Sequence, residues 1–260
     1  MERYGIPRRS VSAALTRKRK LPFTGNKIEK AFLIGLRAGD FYARRMKLCI
    51  RMQTSTTHKA QVSLLHAAFN NYGDTKQYVY APNSGRPSEW FIYVDLHPSF
   101  DFLLHKPLDI PTWILHEDVA FWAFLAAYAD CEGNWHVSLS HEKNFRCTFR
   151  LRTSDFNILR SIKHRLEKCG FQPRLYLDRL KGTTLGYGTL TNDFYALVVD
   201  RKTDIMRLMQ VLLPHSLHSE KIEKMKFTVD CYRGVKQNWQ EKWCDLRKNI
   251  EKEKISSNEQ

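Results

Sequence analysis

Two stretches of the chain have similar sequences and lie a fixed distance apart. AFLIGLRAGDF begins at Ala31, and AFLAAYADCEG begins at Ala123. The opening alanines lie 92 positions apart, as do the acids Asp40 and Glu132. A spacing of this size is enough for a small domain, so the pair predicts two similar halves within one chain.

The similarity continues downstream of both stretches in looser register. Each half next has strand-like runs that end at Gln53-Thr54-Ser55 or Arg152-Thr153-Ser154, and then a helical segment that ends near Gly73 or Gly170. Two further strand-like runs and a last helix follow in each half. These runs are Gln77 to Tyr80 and Trp90 to Leu96 in the first half, and Pro173 to Asp178 and Thr189 to Val199 in the second. The pattern predicts an α+β fold of two αββαββα repeats.

Each of the two similar stretches places acids at the C-terminal end of a predicted helix. A helix carries a partial negative charge at this end, so acids there are unfavourable unless a cation offsets them. Asp130 precedes Glu132 by two residues and lies on another side of the helix, so we expect it to cap or position neighbouring groups.

The two predicted helices share a column of small residues. Residues four apart lie on one face of a helix, and small side chains there allow two helices to approach closely. The column consists of Gly35 and Gly39 in the first helix and of Ala123, Ala127 and Cys131 in the second. If the helices pair with their C-termini together, Asp40 and Glu132 form a hard-oxygen site for a divalent cation. Two unrelated core helices are the alternative, which leaves the acids unexplained.

The charge of the chain restricts the class of partner. Lys and Arg total 42 against 27 acids, and the formal net charge is +15. A polyanion fits this excess, either nucleic acid or an anionic membrane surface. The longest uncharged apolar run, Val119 to Ala129, is too short to cross a bilayer, and no signal-peptide core is evident. The six cysteines lack C-x-x-C spacing. We therefore expect an intracellular protein, cytoplasmic or organellar, with reduced thiols.

Four regions follow from the repeat and its flanks. We expect a basic N-terminal arm at 1–26, a first repeat at 27–118, a second repeat at 119–228, and a C-terminal helix and tail at 229–260. The segment Met1 to Lys20 fits a phosphate-binding arm, a nuclear localisation patch or an organelle presequence, and the overall basicity favours the arm. Trp239 and Trp243 predict that the C-terminal helix packs on the second half.

Alternation along the predicted strands indicates a basic sheet face in each half. From Arg146 to Arg152 the apolar residues hold the odd positions, so the basic and polar residues point to the opposite face. The residues expected to contact nucleic acid are Arg45, Lys47, Arg51 and Gln53 in the first half and Arg146, Thr148, Arg150, Arg152, Arg174 and Tyr176 in the second. In the first half, Met46, Leu48, Ile50 and Met52 are expected to face inward. Arginine and glutamine suit guanine and adenine edges in the major groove. An ordinary solvated face is the alternative, but such faces mix charges of both signs and these have almost no acids.

These residues together resemble the monomeric LAGLIDADG homing endonucleases, which carry two copies of that motif in one chain. The first copy corresponds to Leu33 to Phe41 and the second to Leu125 to Gly133, and the resemblance extends over Lys27 to Lys226. The chain departs from the family pattern at Arg37, at Phe41 in place of a closing glycine, and at Ala127 in place of a mid-helix glycine. Both motif acids are retained.

The resemblance implies a fold, an activity and a set of site residues. The fold is a monomer of two pseudo-symmetric halves, each with a four-stranded antiparallel sheet, which are joined along the motif helices and form a saddle over double-stranded DNA. The activity is site-specific cleavage that leaves 3′ overhangs, in an enzyme associated with an intron or intein. Asp40 and Glu132 would bind Mg²⁺ or Mn²⁺, with Ca²⁺ as a substitute that does not support catalysis. Gln53 and Arg152 would lie near the scissile phosphates, and Lys221 would neutralise transition-state charge. For Lys221, an exposed helix lysine is an equal alternative.

Two functions from other classes remain open at the level of sequence. One is an RNA maturase, an intron RNA-binding protein of the same fold that need not cut DNA. The other is a basic structural RNA-binding protein without a metal site. Retention of both acids favours the nuclease, since an RNA-binding protein has no need of the pair. The ten histidines show no metal-ligand spacing, so a histidine-metal nuclease is disfavoured.

Overall fold

The computed structural model describes residues 20–80, 88–140, 144–185, 188–235 and 238–254. The predicted arm up to residue 19 and the tail from residue 255 lie outside the described residues. The first repeat contains α1 (Lys27–Ala38), β1 (Tyr42–Arg45), β2 (Ile50–Thr56), α2 (Lys59–Phe69), β3 (Thr75–Tyr80), β4 (Glu89–Leu96), a 3₁₀ helix (Pro98–Leu103) and α3 (Thr112–His116).

The second repeat begins directly afterwards. It contains α4 (Asp118–Glu132), β5 (Gly133–Ser140), β6 (Asn144–Thr153), α5 (Phe156–Lys168), β7 (Arg174–Arg179), β8 (Thr184–Leu185), β9 (Gly188–Thr189), β10 (Phe194–Val199) and α6 (Lys202–Leu212). Two more helices follow, α7 (Ser219–Tyr232) and α8 (Trp239–Lys252). Among the helices of the described ranges, none is long and apolar enough to span a membrane.

The two large sheets have the same topology. Their strand orders are β1-β2-β4-β3 and β5-β6-β10-β7, and every neighbouring pair is antiparallel. In each sheet the fourth strand of the repeat lies between the second and the third. The α+β architecture with two four-stranded antiparallel sheets is therefore confirmed.

Two elements differ from the sequence prediction. The run Thr189 to Val199 is not one strand, because β8 and β9 form a separate hairpin and β10 begins only at Phe194. In the first repeat the helix that follows the fourth strand is a six-residue 3₁₀ helix, whereas its counterpart α6 in the second repeat is a full α-helix. Prolines explain the difference: Pro98 opens the 3₁₀ helix, and Pro107 cannot continue it.

The helices α1 and α4 pack side by side through their small residues. A Cβ atom on Gly35 would lie 2.5 Å from the backbone oxygen of Phe124 and 2.8 Å from the Cβ of Ala127. A Cβ on Gly39 would lie 2.4 Å from the Cβ of Cys131. The predicted close approach is confirmed at these contacts, because no larger side chain fits between the two backbones.

Arg37 is the buried exception on α1. Its guanidinium donates hydrogen bonds to the backbone oxygens of Leu103 (2.8 Å) and Phe41 (3.1 Å). These bonds satisfy carbonyl groups at the end of the 3₁₀ helix and just after α1, which explains a cation where the motif normally has an apolar residue.

One hydrophobic core connects the paired helices with the inner face of each sheet. In the second repeat, α5 buries Ile158, Leu159, Ile162 and Leu166, and the sheet contributes Cys147, Phe149, Leu151, Leu197 and Val199. In the first repeat, α2 buries Leu64, Leu65 and Phe69 over Ile50 and Met52. Since the helices cover one face of each sheet, the opposite faces are free to contact another molecule.

Both flanks of the repeats pack on the fold. Residues 20–26, the described end of the predicted arm, lie on the first repeat, where the rings of Phe23 and Tyr72 are 5.7 Å apart. On the second repeat, the Trp239 ring in α8 meets the Phe145 ring edge-on at 5.2 Å. The predicted packing of the C-terminal helix on the second half is confirmed.

The glycine contact gives a test of the helix pairing. Gly35→Ala should lower the free energy of unfolding by roughly 1–3 kcal/mol, because the added methyl group overpacks the interface. An ordinary helix interior would instead gain stability from this change. Urea denaturation measures the difference, with Ser63→Ala on the exposed side of α2 as the control. A more stable Gly35→Ala protein would contradict the close approach.

Candidate active site and nucleic-acid interface

The C-terminal ends of α1 and α4 bring two motif acids together. Glu132 is the last residue of α4, and Asp40 follows α1 by two residues. The contact between Gly39 and Cys131 fixes the two ends side by side. Asp40 is the nearby charge that most strongly raises the pKa of Glu132, so the two carboxylates are close enough to repel each other.

Both acids have raised pKa values. Burial raises the pKa of Glu132 to about 7, and the negative charges of Asp40 and Asp155 add to the effect. Desolvation by the surrounding protein also raises the pKa of Asp40, although this side chain stays open to solvent. The positive charges of Lys106 and Lys221 act in the opposite direction on both carboxyl groups. The site therefore has an excess of negative charge that a further cation would relieve.

Lys221 supplies the cation that offsets the end of α4. From α7, its ammonium group donates hydrogen bonds to the backbone oxygens of Ala129 (2.8 Å), Asp130 (2.5 Å) and Cys131 (3.0 Å). These carbonyls are left without partners where the helix ends. Because an ammonium group has three N–H donors and all are used, Lys221 can act on a neighbouring group through its charge only.

Asp130 determines where α7 begins. Its buried carboxylate accepts hydrogen bonds from the hydroxyl of Ser216 (2.5 Å) and from the backbone N–H groups of Leu217 (2.7 Å) and His218 (3.2 Å). Since α7 starts at Ser219, these bonds hold the segment that places Lys221 beside α4. The prediction that Asp130 positions neighbouring groups is confirmed.

Three further residues at the site were not predicted from the sequence. The amide of Gln61 donates to Oδ2 of Asp40 at 3.4 Å, and Lys106 forms an ion pair with Asp155 at 3.0 Å. Gln61 is a buried polar residue on α2. A polar residue among the apolar residues that face the core is a signal that the sequence could have provided. Lys106 and Asp155 belong to different repeats, so their proximity depends on tertiary packing.

Gln53 and Arg152, expected near the scissile phosphates, occupy different surroundings. The Thr54 hydroxyl beside Gln53 donates to the backbone oxygen of Asp40 at 3.3 Å, so β2 is joined to the acid site. The buried Oε1 of Gln53 has no hydrogen-bond partner within the described chain. Arg152 forms an ion pair with Asp178, with Nε 3.0 Å from Oδ2, and is not among the charges that shift the pKa of Glu132.

The donor set of the site suits a magnesium-type ion. In the described ranges, no group of three or more His, Cys, Asp or Glu side chains could hold a metal ion. Mg²⁺ does not need such a cage, because it keeps several waters and binds through one or two carboxylates and substrate phosphates. Two neighbouring carboxylates at helix C-termini, Asp40 and Glu132, fit that requirement.

The second-repeat sheet has the outer face that the sequence predicts. In β6, Cys147, Phe149 and Leu151 are buried, and the residues between them point to the side away from α5. Strand β7 adds Arg174 and Tyr176, whose strand partners are Val198 and Ala196 on the same face. The outer face therefore carries Arg146, Thr148, Arg150, Arg152, Arg174 and Tyr176.

The first-repeat face differs from the prediction, which treated residues 45–53 as one alternating strand. Residues 46–49 form a turn between β1 and β2, so the alternation restarts. Arg44 lies opposite Arg51 and shares its outer face. Arg45 lies opposite the buried Ile50, so its side chain leaves the backbone on the inner face of the sheet. Within the turn, Lys47 is exposed, and Leu48 is 56% exposed instead of inward-facing.

Acids on neighbouring strands pair with the arginines of both outer faces. Arg51 binds Asp95 with two hydrogen bonds, of 2.7 and 3.0 Å. Arg146 and Arg174 both reach Oδ2 of Asp200, at 3.0 and 2.5 Å. The expectation that these faces are nearly free of acids is thus wrong, because acids that are distant in sequence lie next to the arginines in the sheet. The pairs fix the orientation of the guanidinium groups.

Solved structures of several DNA-bound proteins share this architecture. The homing endonuclease I-WcaI bound to its DNA recognition sequence has a TM-score of 0.55 and 16% identity, over 77% of this chain and 88% of that chain. The LAGLIDADG homing endonuclease I-SmaMI bound to cleaved DNA has a TM-score of 0.53 and 10% identity, over 90% and 100% of the two chains. The LAGLIDADG meganuclease I-AabMI bound to uncleaved DNA has a TM-score of 0.50 and 13% identity, over 87% and 98%.

The topology, the paired helices and these similarities define the class of fold. It is a two-repeat α+β architecture with paired motif helices and two outward-facing sheets. The chain has the LAGLIDADG homing endonuclease fold. The sequence itself matches no protein-family model and no curated protein.

The raised pKa of Glu132 predicts a pH-dependent stability. In the unfolded chain the carboxyl group ionises near pH 4.5, and in the folded protein it ionises at about 7. The folded state therefore holds an extra proton between these values, and ionisation of Glu132 lowers the free energy of unfolding as pH rises through this window. Without divalent cations, Glu132→Gln should match the parent near pH 4.5 and exceed its stability by roughly 2–3 kcal/mol at pH 8.

Denaturant titrations across this pH range measure the effect, with Glu241→Gln on the exposed side of α8 as the control. A constant difference between parent and Glu132→Gln at all pH values would show that Glu132 does not titrate in this environment.

Proposed function

We propose that the protein is a site-specific, metal-dependent endonuclease of double-stranded DNA. The observation that carries this proposal is the convergence of Asp40 and Glu132 at the paired helix ends, next to sheets with arginine-rich outer faces. Two neighbouring like charges at helix C-termini destabilise the fold, and a protein that only bound nucleic acid would not need them. A bound cation turns the same arrangement into a reactive site.

Asp40 and Glu132 would hold the metal, and Mg²⁺ or Mn²⁺ would supply a Lewis acid and an activated water when bound. Ca²⁺ would occupy the site without supporting cleavage. Gln61 orients the Asp40 carboxylate through its amide. The unpaired Oε1 of Gln53 is an acceptor that can orient a water molecule. Lys221 and the Lys106 ammonium provide positive charge for the phosphate that develops negative charge during hydrolysis.

The outer faces of the two sheets would bind the duplex. Arg51 is held by Asp95 and lies over the Tyr93 ring at 4.1 Å, so its remaining N–H groups have a fixed direction. The guanidinium group of Arg152 is likewise held by an ion pair, with Asp178. Fixed guanidinium groups suit bidentate recognition of guanine in the major groove, and Arg150 and Thr148 lie on the same face of β6 as Arg152. In this arrangement Arg44 replaces Arg45 as the contact from β1.

The two repeats, 27–118 and 119–228, would each bind one half of the target as a monomer with internal pseudo-twofold symmetry. Each motif acid would serve the cleavage of one strand, leaving 3′ overhangs. The similarity of I-SmaMI, which is bound to cleaved DNA, and of I-WcaI, which is bound to its recognition sequence, supports cleavage at a defined site. Association with a mobile intron or intein in a cytoplasmic or organellar setting completes the proposal.

Cleavage of a selected target tests the function directly. A randomised duplex library would first be enriched for binding in Ca²⁺, and the selected site would then be placed in a supercoiled plasmid with Mg²⁺. The parent should linearise the plasmid. Asp40→Asn and Glu132→Gln should each lower the rate of double-strand cleavage by about a hundredfold or more, because each removes a carboxylate from the site.

The matched control is Glu223→Gln, an exposed glutamate on the same helix as Lys221. It should cut like the parent. Binding without cutting by the parent, together with tight binding of intron RNA, would support the maturase alternative instead. Unchanged cutting by either motif variant would reject the metal site even if the function were right.

The outer face gives a separate binding prediction. Arg150→Gln should weaken binding of the selected duplex about tenfold and reduce the salt dependence of binding by about one ion, because one phosphate or base contact is lost. Fluorescence anisotropy at several salt concentrations measures both quantities. Lys242→Gln, on the exposed side of α8, should change neither. Equal losses in both variants would indicate non-specific attraction and not a sheet-face contact.

A further inference from the structure

A basic cavity lies on the helical side of the second repeat. It has a volume of about 610 Å³. The end of α3 and one side of α5 form its walls. The polar and basic residues among those that line it are His116, Arg160, Ser161, His164, Arg165 and Lys168.

This cavity is on the opposite side of the sheet from the arginine-rich outer face. Helix α5 packs its apolar side, including Ile158 and Leu166, onto the inner face of the sheet. The outer-face residue Arg150 alternates with the buried Phe149 and Leu151 and so points away from α5. A duplex on the outer face would leave the cavity open.

Most of the basic groups here have no acidic partner among the described residues. Arg165 pairs with Asp118, but in the described part of the chain no carboxylate pairs with Arg160, His164 or Lys168. The nearby Asp109 accepts a hydrogen bond from Ser161. By contrast, Arg51, Arg152 and the pair Arg146 and Arg174 on the outer faces have carboxylate partners.

The helix dipole does not account for these cations. Arg207 already reaches the end of α5, with Nη2 2.8 Å from the backbone oxygen of Cys169. Arg160 and His164 lie further back along the helix, outside its last turn. Arg160, His164 and Lys168 follow each other at intervals of four, so they face each other on the helix surface and repel when charged. A bound anion would reduce this repulsion.

Arg165 lies in the wall and is held there by Asp118. Asp118 takes one end of its guanidinium group, and the buried Nε has no hydrogen-bond partner within the described ranges. Because this Nε is buried, Arg165 acts on a ligand in the cavity through its positive charge. The Arg160 guanidinium lies near the Phe156 ring, 5.8 Å from its centroid, and this contact restricts the movement of the second guanidinium group.

We propose that this cavity binds the phosphate groups of a nucleotide-sized ligand. Two guanidinium groups and an ammonium group around one concave space match the charge and the oxygen geometry of phosphates. The volume is within the range of small-ligand sites. A free nucleotide and the phosphorylated end of a nucleic-acid strand share this chemistry, and both are tested below.

The full-length protein would be titrated calorimetrically with pyrophosphate, with a nucleoside triphosphate and with a 5′-phosphorylated trinucleotide. The outer face would first be saturated with duplex DNA in buffer without divalent cations, because polyphosphates bind such cations, so that only other sites respond. Saturable binding of pyrophosphate is expected. Arg160→Gln and Lys168→Gln should each weaken it about tenfold, since each removes a charge-assisted contact.

Lys163→Gln is the matched control, because Lys163 is on the same helix but pairs with Glu167 and does not line the cavity. It should change the affinity less than twofold. Tighter binding of the trinucleotide than of the triphosphate would identify a strand end as the source, and the reverse order a free nucleotide. Absence of saturable binding, or equal losses in Lys163→Gln and the cavity variants, would overturn the proposal. Thermal unfolding verifies that each variant is folded.

Discussion

The close contact between α1 and α4 is the constraint on which the rest of the molecule depends. Gly35 meets the Phe124 backbone and Ala127, and Gly39 meets Cys131, so the helix axes can approach only because these positions carry little or no side chain. The contact sets the relation between the two sheets, because each sheet packs on the same core as these helices. It also places Asp40 and Glu132 at one end of the pair. The spacing of the two helices, the placement of the two sheets and the meeting of the two acids therefore all depend on this contact.

Electrostatics at that end are balanced by groups from elsewhere in the chain. Two helix C-termini and their acids concentrate negative charge, and Lys221 offsets it by binding three carbonyls of α4. Asp130 in turn fixes the start of the helix that carries Lys221. Burial, together with the charges of Asp40 and Asp155, still raises the pKa of Glu132 to about 7. A residual attraction for cations is what a metal-binding site requires, whereas a purely structural helix end would be fully neutralised.

Features that depend on the spacing of neighbouring residues could be predicted from the sequence. Features that depend on contacts between residues distant in sequence could not. The repeat, the small-residue column and the alternation in β6 are all properties of neighbouring residues, and the structure confirms them. The turn at 46–49 was missed because its residues continue the polar and apolar alternation, so nothing local marks the break. The partnership of Arg51 with Asp95 depends on strand pairing, and the arrival of Lys106 at the site depends on packing between repeats. The roles of Asp40 and Glu132 in metal binding stay predictions.

The ion pair between Lys106 and Asp155 has a consequence for the ancestry of the molecule. A protein that arose by duplication of a half-length gene would begin with two interchangeable sites, each complete in itself. Here a lysine of one half is anchored by an aspartate of the other, close to the glutamate that ends the second motif. Neither half by itself contains both members of this pair. Chimeras that exchange halves with related proteins would have to transfer both members of this pair.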